Sequence, residues 1–122
     1  MGEYKYLKSH EWVCEECGKI GISDYAQHEL GDIVFIELPE VGEEVEAGKP
    51  FANIESVKAV FEIFSPVTGK IVDVNSDLTD HPELINEDAM NAWMIKVEIS
   101  GKSEELMDET AYQEMIQKSQ KK

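Results

Sequence analysis

The sequence predicts a mostly β domain with one short helix in its N-terminal half and another helix at its C-terminus. Turn residues and short β-branched runs alternate from the start to about residue 100. After Asp108 the hydrophobic period becomes helical, with Ala111, Tyr112, Met115 and Ile116 on one stripe. A chain of 122 residues with 42% hydrophobic side chains suits a single core, so one domain is expected over 1–122.

The elements follow in order. His10–Cys14 and Lys19–Ile22 read as the arms of a hairpin with Gly18 in its turn. A helix comes next: Ser23 suits the N-cap, Asp24 the first turn, and Gly31 a left-handed C-cap. Its apolar side is Tyr25, Ala26 and Leu30. Ile33–Leu38 reads as a buried strand ended by Pro39, and the turn-rich stretch after it has Val41 and Val45 as inward anchors. Phe51–Ile54 and Ala59–Phe64 form a strand pair, Ser65–Gly69 a turn, Lys70–Val74 a strand, Glu83–Ile85 a helical turn after Pro82, and Trp93–Ile99 a strand. Lys118, Lys121 and Lys122 give the last helix the right charge for its C-terminus. A faint repeat, Gly-x-Ile-Val-x-aliphatic, joins Gly31–Ile36 to Gly69–Val74 and fits two related half-sheets folded face to face.

Charge narrows the function. The chain has 11 basic and 26 acidic residues, a net −15, and every basic residue is a lysine. That field repels phosphodiester backbones and anionic headgroups, and no arginine fork is present to clamp phosphate. Neither nucleic acid nor a membrane surface is an expected partner. The N-terminal stretch lacks a secretory apolar region, no apolar run approaches a membrane span, and Tyr6 breaks the myristoylation pattern after Gly2. The expected compartment is a reducing cytoplasm, with a mitochondrial matrix as the setting only for a processed organellar chain.

Lys58 is the only basic residue between Pro50 and Pro66. A two-residue tip at Val57 and Lys58 makes Ile54 face Phe61 and Ala52 face Ile63 on one side of the hairpin, and pairs Asn53 with Glu62 on the other. Lys58 then stands at the point with no carboxylate opposite. It reads either as a solvated surface lysine or as an attachment point, a nucleophilic amine on a rigid scaffold. Periodicity does not decide between these.

Motif resemblance does. Glu55-Ser56-Val57-Lys58-Ala59 resembles the lipoylation motif of the H protein family of the glycine cleavage system. Ser9–Val13, Gly21–Gln27 with Leu30–Phe35, Leu38–Gly42, Ser65–Gly69 and Pro82–Asp88 resemble further family blocks in the same order. The resemblance implies a flattened β-sandwich of lipoyl/biotinyl-domain type, with 1–32 as hairpin and helix, 33–100 as the sandwich and 101–122 as C-terminal helix and tail. It implies lipoate amide-linked to Lys58, with Glu55, Ser56, Val57 and Ala59 as the recognition motif, and a cleft for the loaded arm at Ser9, Glu11 and Glu62. At the Glu62 position the family commonly has aspartate. The arm is then expected to carry an aminomethyl group from a pyridoxal-phosphate glycine decarboxylase to a tetrahydrofolate-dependent aminomethyltransferase. An FAD-containing dihydrolipoamide dehydrogenase reoxidises it, and a lipoate-attaching enzyme installs it. Such a carrier catalyses nothing itself, and Ser23, Asp24 and His28 read as cap and surface residues rather than a triad.

Two alternatives stand beside this. The same lysine suits a relay donating lipoyl groups to 2-oxoacid dehydrogenase carrier domains. Cys14-Glu15-Glu16-Cys17 invites a redox or zinc reading, but a structural zinc site wants four ligands and the chain has two thiols. No metal is expected. The segment Asp88–Trp93 departs from the family, which usually has proline and glycine before that tryptophan.

Overall fold

The computed structural model describes residues 4–120. Lys121 and Lys122, expected at the end of the last helix, lie outside the described residues. The elements are β1 (Tyr4–Tyr6), β2 (Glu11–Cys14), β3 (Lys19–Ile22), α1 (Asp24–Leu30), β4 (Ile33–Glu37), β5 (Glu44–Val45), β6 (Pro50–Ser56), β7 (Val60–Phe64), β8 (Val67–Val74), α2 (Asp77–Asp80), α3 (Leu84–Glu87), β9 (Ile95–Lys102) and α4 (Glu109–Gln120). They build a six-stranded sheet in the order β1-β2-β3-β9-β8-β5 and a three-stranded sheet β4-β6-β7, antiparallel throughout. The mostly β sandwich expected from the sequence is what forms.

Three apolar clusters hold it together. Val13, Ile20, Val45, Val67, Ile71, Ile95 and Val97 come from the larger sheet. Ile33, Ile36, Ala52, Ile54 and Ile63 of the smaller sheet pack with α1, α2 and α3 through Leu30, Leu78 and Ile85. Phe51 touches both clusters, so it joins one sheet to the other. The third cluster lies under α4, where Tyr112 and Ile116 pack with Tyr6, Trp12 and Cys14. The Tyr6 and Tyr112 rings lie 4.1 Å apart and nearly parallel.

Helix α1 has the expected N-cap; at its other end Gly31 has a positive φ but, with ψ −158°, is not the left-handed cap expected. The Ser23 hydroxyl accepts from the Ala26 N–H at 3.1 Å, and Gly31, at φ 76°, turns its N–H back to the Gln27 carbonyl. Tyr25 is half-buried, Ala26 and Leu30 are buried, and so is Gln27. The last is explained by Asn86 of α3, whose amide donates to the Gln27 side chain at 3.0 Å and the Gly31 carbonyl at 2.9 Å. Its carbonyl oxygen accepts from the Ile33 N–H at 2.9 Å. One side chain thus fixes the junction between α1 and β4.

The repeat has a structural counterpart. Pairing skips Val34 in β4, between Ile33 and Phe35, and skips Val72 in β8, between Ile71 and Asp73. In both copies the isoleucine is buried and the following valine bulges out, with Val34 54% and Val72 46% exposed. The two copies lie in different sheets.

Several sequence expectations need correction. Ile33–Glu37 is a strand as expected but only partly buried, because the bulge turns Val34 and Phe35 outward while Ile33 and Ile36 stay in the core. Val45 anchors inward as expected, but Val41 is 59% exposed on its turn. Val67–Gly69 is strand, not turn: β8 starts directly after Ser65 and Pro66 and pairs with β9 through Lys102. The strands β1 and β5 and the helix α2 are not predicted by the sequence patterns above. On α4, Tyr112 and Ile116 are buried and Met115 half-buried, but Ala111 faces solvent.

The loop from β1 to β2 is strained. Leu7 N–H donates to the Glu11 carbonyl at 2.9 Å and His10 N–H to the Leu7 carbonyl at 2.8 Å. His10 takes φ 82°, and among the described residues no other non-glycine residue has a positive φ. A bulky residue held there costs on the order of 1–3 kcal/mol.

Candidate functional site

The hairpin β6–β7 has the predicted register: Ile54 faces Phe61, Ala52 faces Ile63, and Asn53 pairs with Glu62. Ile54, Ala52 and Ile63 point into the core, so the hairpin is anchored along its length. Its tip is the Val57-Lys58 pair. Neither residue has a positive φ, so the turn is not of the primed kind that suits a two-residue hairpin. Ser56 supplies what is missing. Its hydroxyl accepts from the N–H of Lys58 at 3.1 Å and of Ala59 at 3.3 Å, while its own N–H donates to the Ala59 carbonyl at 2.9 Å. Val57 N–H donates to the Asp32 carbonyl at 3.0 Å, pinning the tip to the α1–β4 junction. The buried Ser56 therefore shapes the turn, while Glu55, Val57, Lys58 and Ala59 are exposed.

The Lys58 stem lies over Gly31. A Cβ at that glycine would come within 3.4 Å of Lys58 Cε and 3.8 Å of Val57 Cγ2. The ammonium donates to the Glu29 carbonyl at 3.2 Å, near the C-terminus of α1 where the helix dipole favours a cation. Among the described residues the ion pairs are Lys49–Glu46, Lys102–Glu15 and His81–Glu83, none involving Lys58. The amine is held by one exposed main-chain contact and remains reachable. Behind it, on the outer face of the small sheet, Phe35, Glu55 and Val60 lie in one cross-strand row, with Val57 66% exposed beside them.

Ser9, Glu11 and Glu62 come together in a cleft of about 260 Å³, between the β1–β2 loop, α1 and β7. Glu29, whose carbonyl receives Lys58, lines the same cleft. Its apolar walls are Ile22, Leu30, Phe61 and Ile63. Glu62 is exposed at the rim, whereas Glu11 is 1% exposed. One Glu11 oxygen accepts from the Ser9 hydroxyl and the other from the Phe64 N–H at 2.7 Å. Burial pushes its carboxyl up to about 7, against the opposing pull of those two hydrogen bonds. Glu11 is thus a titratable group in a mostly apolar recess, able to hold an ammonium when ionised.

This has a measurable consequence. A carboxyl that binds its proton more tightly folded than unfolded stabilises the fold fully below about pH 4.5, and that contribution is lost as pH rises through about 7. Glu11→Gln is expected to remove about 3 kcal/mol of pH-dependent stability. Urea unfolding at pH 5 and pH 8 should show the wild type losing stability relative to the variant at the higher pH; parallel behaviour would place Glu11 in water.

Cleft residues that sequence reasoning missed are His10, Tyr25, Glu29 and Phe61. His10 and Tyr25 lie inside blocks already singled out, but their contacts run to α4, more than 80 residues away, and no local pattern signals that. The thiols of Cys14 and Cys17 are free, and burial raises the Cys14 thiol. Among the described residues no group of three or more His, Cys, Asp or Glu could hold a metal ion. No helix among them is long and apolar enough to cross a membrane.

A sandwich of two antiparallel sheets that presents a lysine on a stapled hairpin tip has the architecture of lipoyl-type domains. The glycine cleavage H-protein family model matches residues 4–119. The chain belongs to that family. It is 62% identical over 112 residues to the glycine cleavage system H protein of Treponema denticola, covering 90% of this chain and 92% of that one. It is 58% identical over 119 residues to that of Halalkalibacterium halodurans, covering 93% of each. The crystal structure of a glycine cleavage system H protein from Mycobacterium marinum superposes with a TM-score of 0.89 at 34% identity, covering 96% of this chain and 98% of that one.

Proposed function

We propose that this chain is the lipoyl-bearing shuttle of a glycine cleavage system, with Lys58 as the attachment point. The observation that carries the reading is the tip geometry: an exposed amine on a hairpin stapled by Ser56, next to the cleft of Ser9, Glu11 and Glu62. These residues fit lipoate, because the amine has no competing carboxylate among the described residues and the adjoining recess is largely apolar. Bound there, lipoate supplies a redox-active disulfide on a long, uncharged arm. Amide formation turns 11 cations into 10 against 26 acids, so the net charge moves from −15 to −16.

The chain's own residues then do three things. The hairpin holds the attachment point clear of the core, so that enzymes of different shape can reach it. The cleft offers a resting place whose apolar walls suit the arm, and whose carboxylates, Glu11 and Glu62, hold a cationic load. The whole chain works as one non-catalytic carrier domain, since β1 to β3 share a sheet with β8 and β9. Its partners are a pyridoxal-phosphate glycine decarboxylase, a tetrahydrofolate-dependent aminomethyltransferase, an FAD-containing dihydrolipoamide dehydrogenase and a lipoate-attaching enzyme. Bacterial relatives support a cytoplasmic setting. The relay alternative uses the same lysine, and the family assignment favours the shuttle.

The test begins with mass spectrometry. After incubation with lipoate and a lipoate-attaching enzyme, the peptide containing Lys58 is expected to carry one lipoyl group. The product is expected to support exchange of bicarbonate into the carboxyl of glycine by the decarboxylase. Modification elsewhere, or no exchange, overturns the reading. Association with the decarboxylase is expected to slow as salt rises, because a −15 surface steers toward basic patches. Stopped-flow rates at 20 mM and 500 mM salt should differ by at least about tenfold; equal rates would remove electrostatic steering from the account.

A further inference from the structure

We propose that Tyr112 and His10 are positioning residues of the cleft: α4 holds the β1–β2 loop, through the Tyr112 phenol, in the conformation that brings Ser9 and Glu11 to the cleft. The inference rests on the reading of that cleft as the arm's resting place and adds a device that sets its shape.

The geometry is specific. His10 sits between Ser9 and Glu11 and lines the cleft with them. Its Nδ1 lies 2.8 Å from the Tyr112 hydroxyl, and its ring stands 4.9 Å from that of Tyr25 and edge-on to that of Tyr112. The same hydroxyl lies 2.5 Å from Ser23 Oγ, the N-cap of α1. Ser23 N–H donates to the His10 carbonyl at 2.9 Å. One buried phenol therefore ties together the loop that carries Ser9 and leads into Glu11 at the start of β2, and the helix carrying Tyr25 and Glu29. These are two of the cleft's walls.

One proton arrangement satisfies every group. Ser23 O–H donates to the Tyr112 oxygen, Tyr112 O–H donates to His10 Nδ1, and Ser23 Oγ accepts from the Ala26 N–H. The reverse order would leave the buried Ser23 proton without an acceptor, which folded proteins avoid. Burial lowers the proton affinity of His10, consistent with a neutral ring whose Nδ1 accepts.

The backbone shows that the side chain is there for its contacts. The position at φ 82° is one that glycine fills without strain. A histidine there has to be held by its ring, and the partner holding it comes from α4, about a hundred residues along the chain. If the loop needed only to turn, glycine would serve better. Strain of this kind, kept beside a cleft, points to position rather than stability.

The experiment uses the full chain, unmodified and lipoylated, as wild type, Tyr112→Phe and His10→Gly, with complete lipoylation verified by mass. The readout is the change in the Ser9 and Glu11 backbone amide resonances on lipoylation, alongside the melting temperature. Wild type is expected to show clear changes at both residues. Both variants are expected to lose at least about half of that change, since a loosened supporting shell no longer fixes the groups it carries. His10→Gly is expected to melt within about 4 °C of wild type, because removing the left-handed strain compensates for the lost ring. Undiminished resonance changes in His10→Gly overturn the proposal, whatever the fate of Tyr112→Phe. Absence of any change in the wild type overturns the cleft reading itself, and this inference with it.

Discussion

Lys58→Arg is expected to leave a folded chain that supports no bicarbonate exchange into glycine. Arginine keeps the positive charge and can still donate to the Glu29 carbonyl, and the position is exposed, so nothing in the core changes. The guanidinium stays protonated at any physiological pH and is no acyl acceptor, so lipoate cannot be joined there. Free lipoate at the same concentration is a poor substitute. Tethering raises effective concentration at a partner's site and is worth about 10²–10⁴ in apparent affinity. The exchange rate should therefore fall at least about 100-fold, while the melting temperature stays within a few degrees of wild type. Exchange at the wild-type rate would mean that the arm is attached elsewhere, or that none is needed.

A large stability effect is expected at Gly18, where a methyl group meets two obstacles at once. The residue takes φ 75° in the β2–β3 turn, and a Cβ there would sit 2.3 Å from the Val97 carbonyl oxygen. That oxygen belongs to a backbone that cannot retreat: Val97 N–H donates to the Gly18 carbonyl at 2.8 Å, and Val97 pairs with Ile71 in the longest ladder of the molecule. Either the turn moves away from β9, breaking the β3–β9 seam, or the seam stretches. Gly18→Ala is expected to cost about 3 kcal/mol or more, combining backbone strain with overpacking. That corresponds to a fall of about 10 °C in melting temperature. A fall within about 2 °C would show that the turn is free to shift.

What could be read from the sequence was local. The register of the β6–β7 hairpin follows from alternation about a two-residue tip, so each predicted pair is found, and Lys58 stands where that count places it. The start of α1 is legible because the Ser23 cap acts on an N–H only three residues on, and Gly31 marks its end although not in the left-handed helical conformation. The misreadings share a cause. Val34 and Phe35 look like a buried run, and only pairing with β6 shows the bulge that turns them out. Val67–Gly69 looks like a turn because proline precedes it, yet its residues pair with Lys102, Gly101 and Ile99, thirty or more residues on. The same holds for the site. Ser9, Glu11 and Glu62 were named through family resemblance, whereas the burial of Glu11 depends on the Phe64 N–H, and His10 depends on Tyr112. Contacts across that much chain leave no local periodicity to detect.

Around the charged Glu55, the exposed side chains of Phe35, Val57 and Val60 give the molecule an oily corner beside Lys58. Bare patches of that kind tend to find one another in a crowded solution. A body carrying fifteen surplus negative charges answers the hazard at long range, since two copies repel before their corners meet. A cationic enzyme feels the opposite force. The same excess of acid that keeps copies of the chain apart thus lets the apolar corner beside Lys58 stay bare.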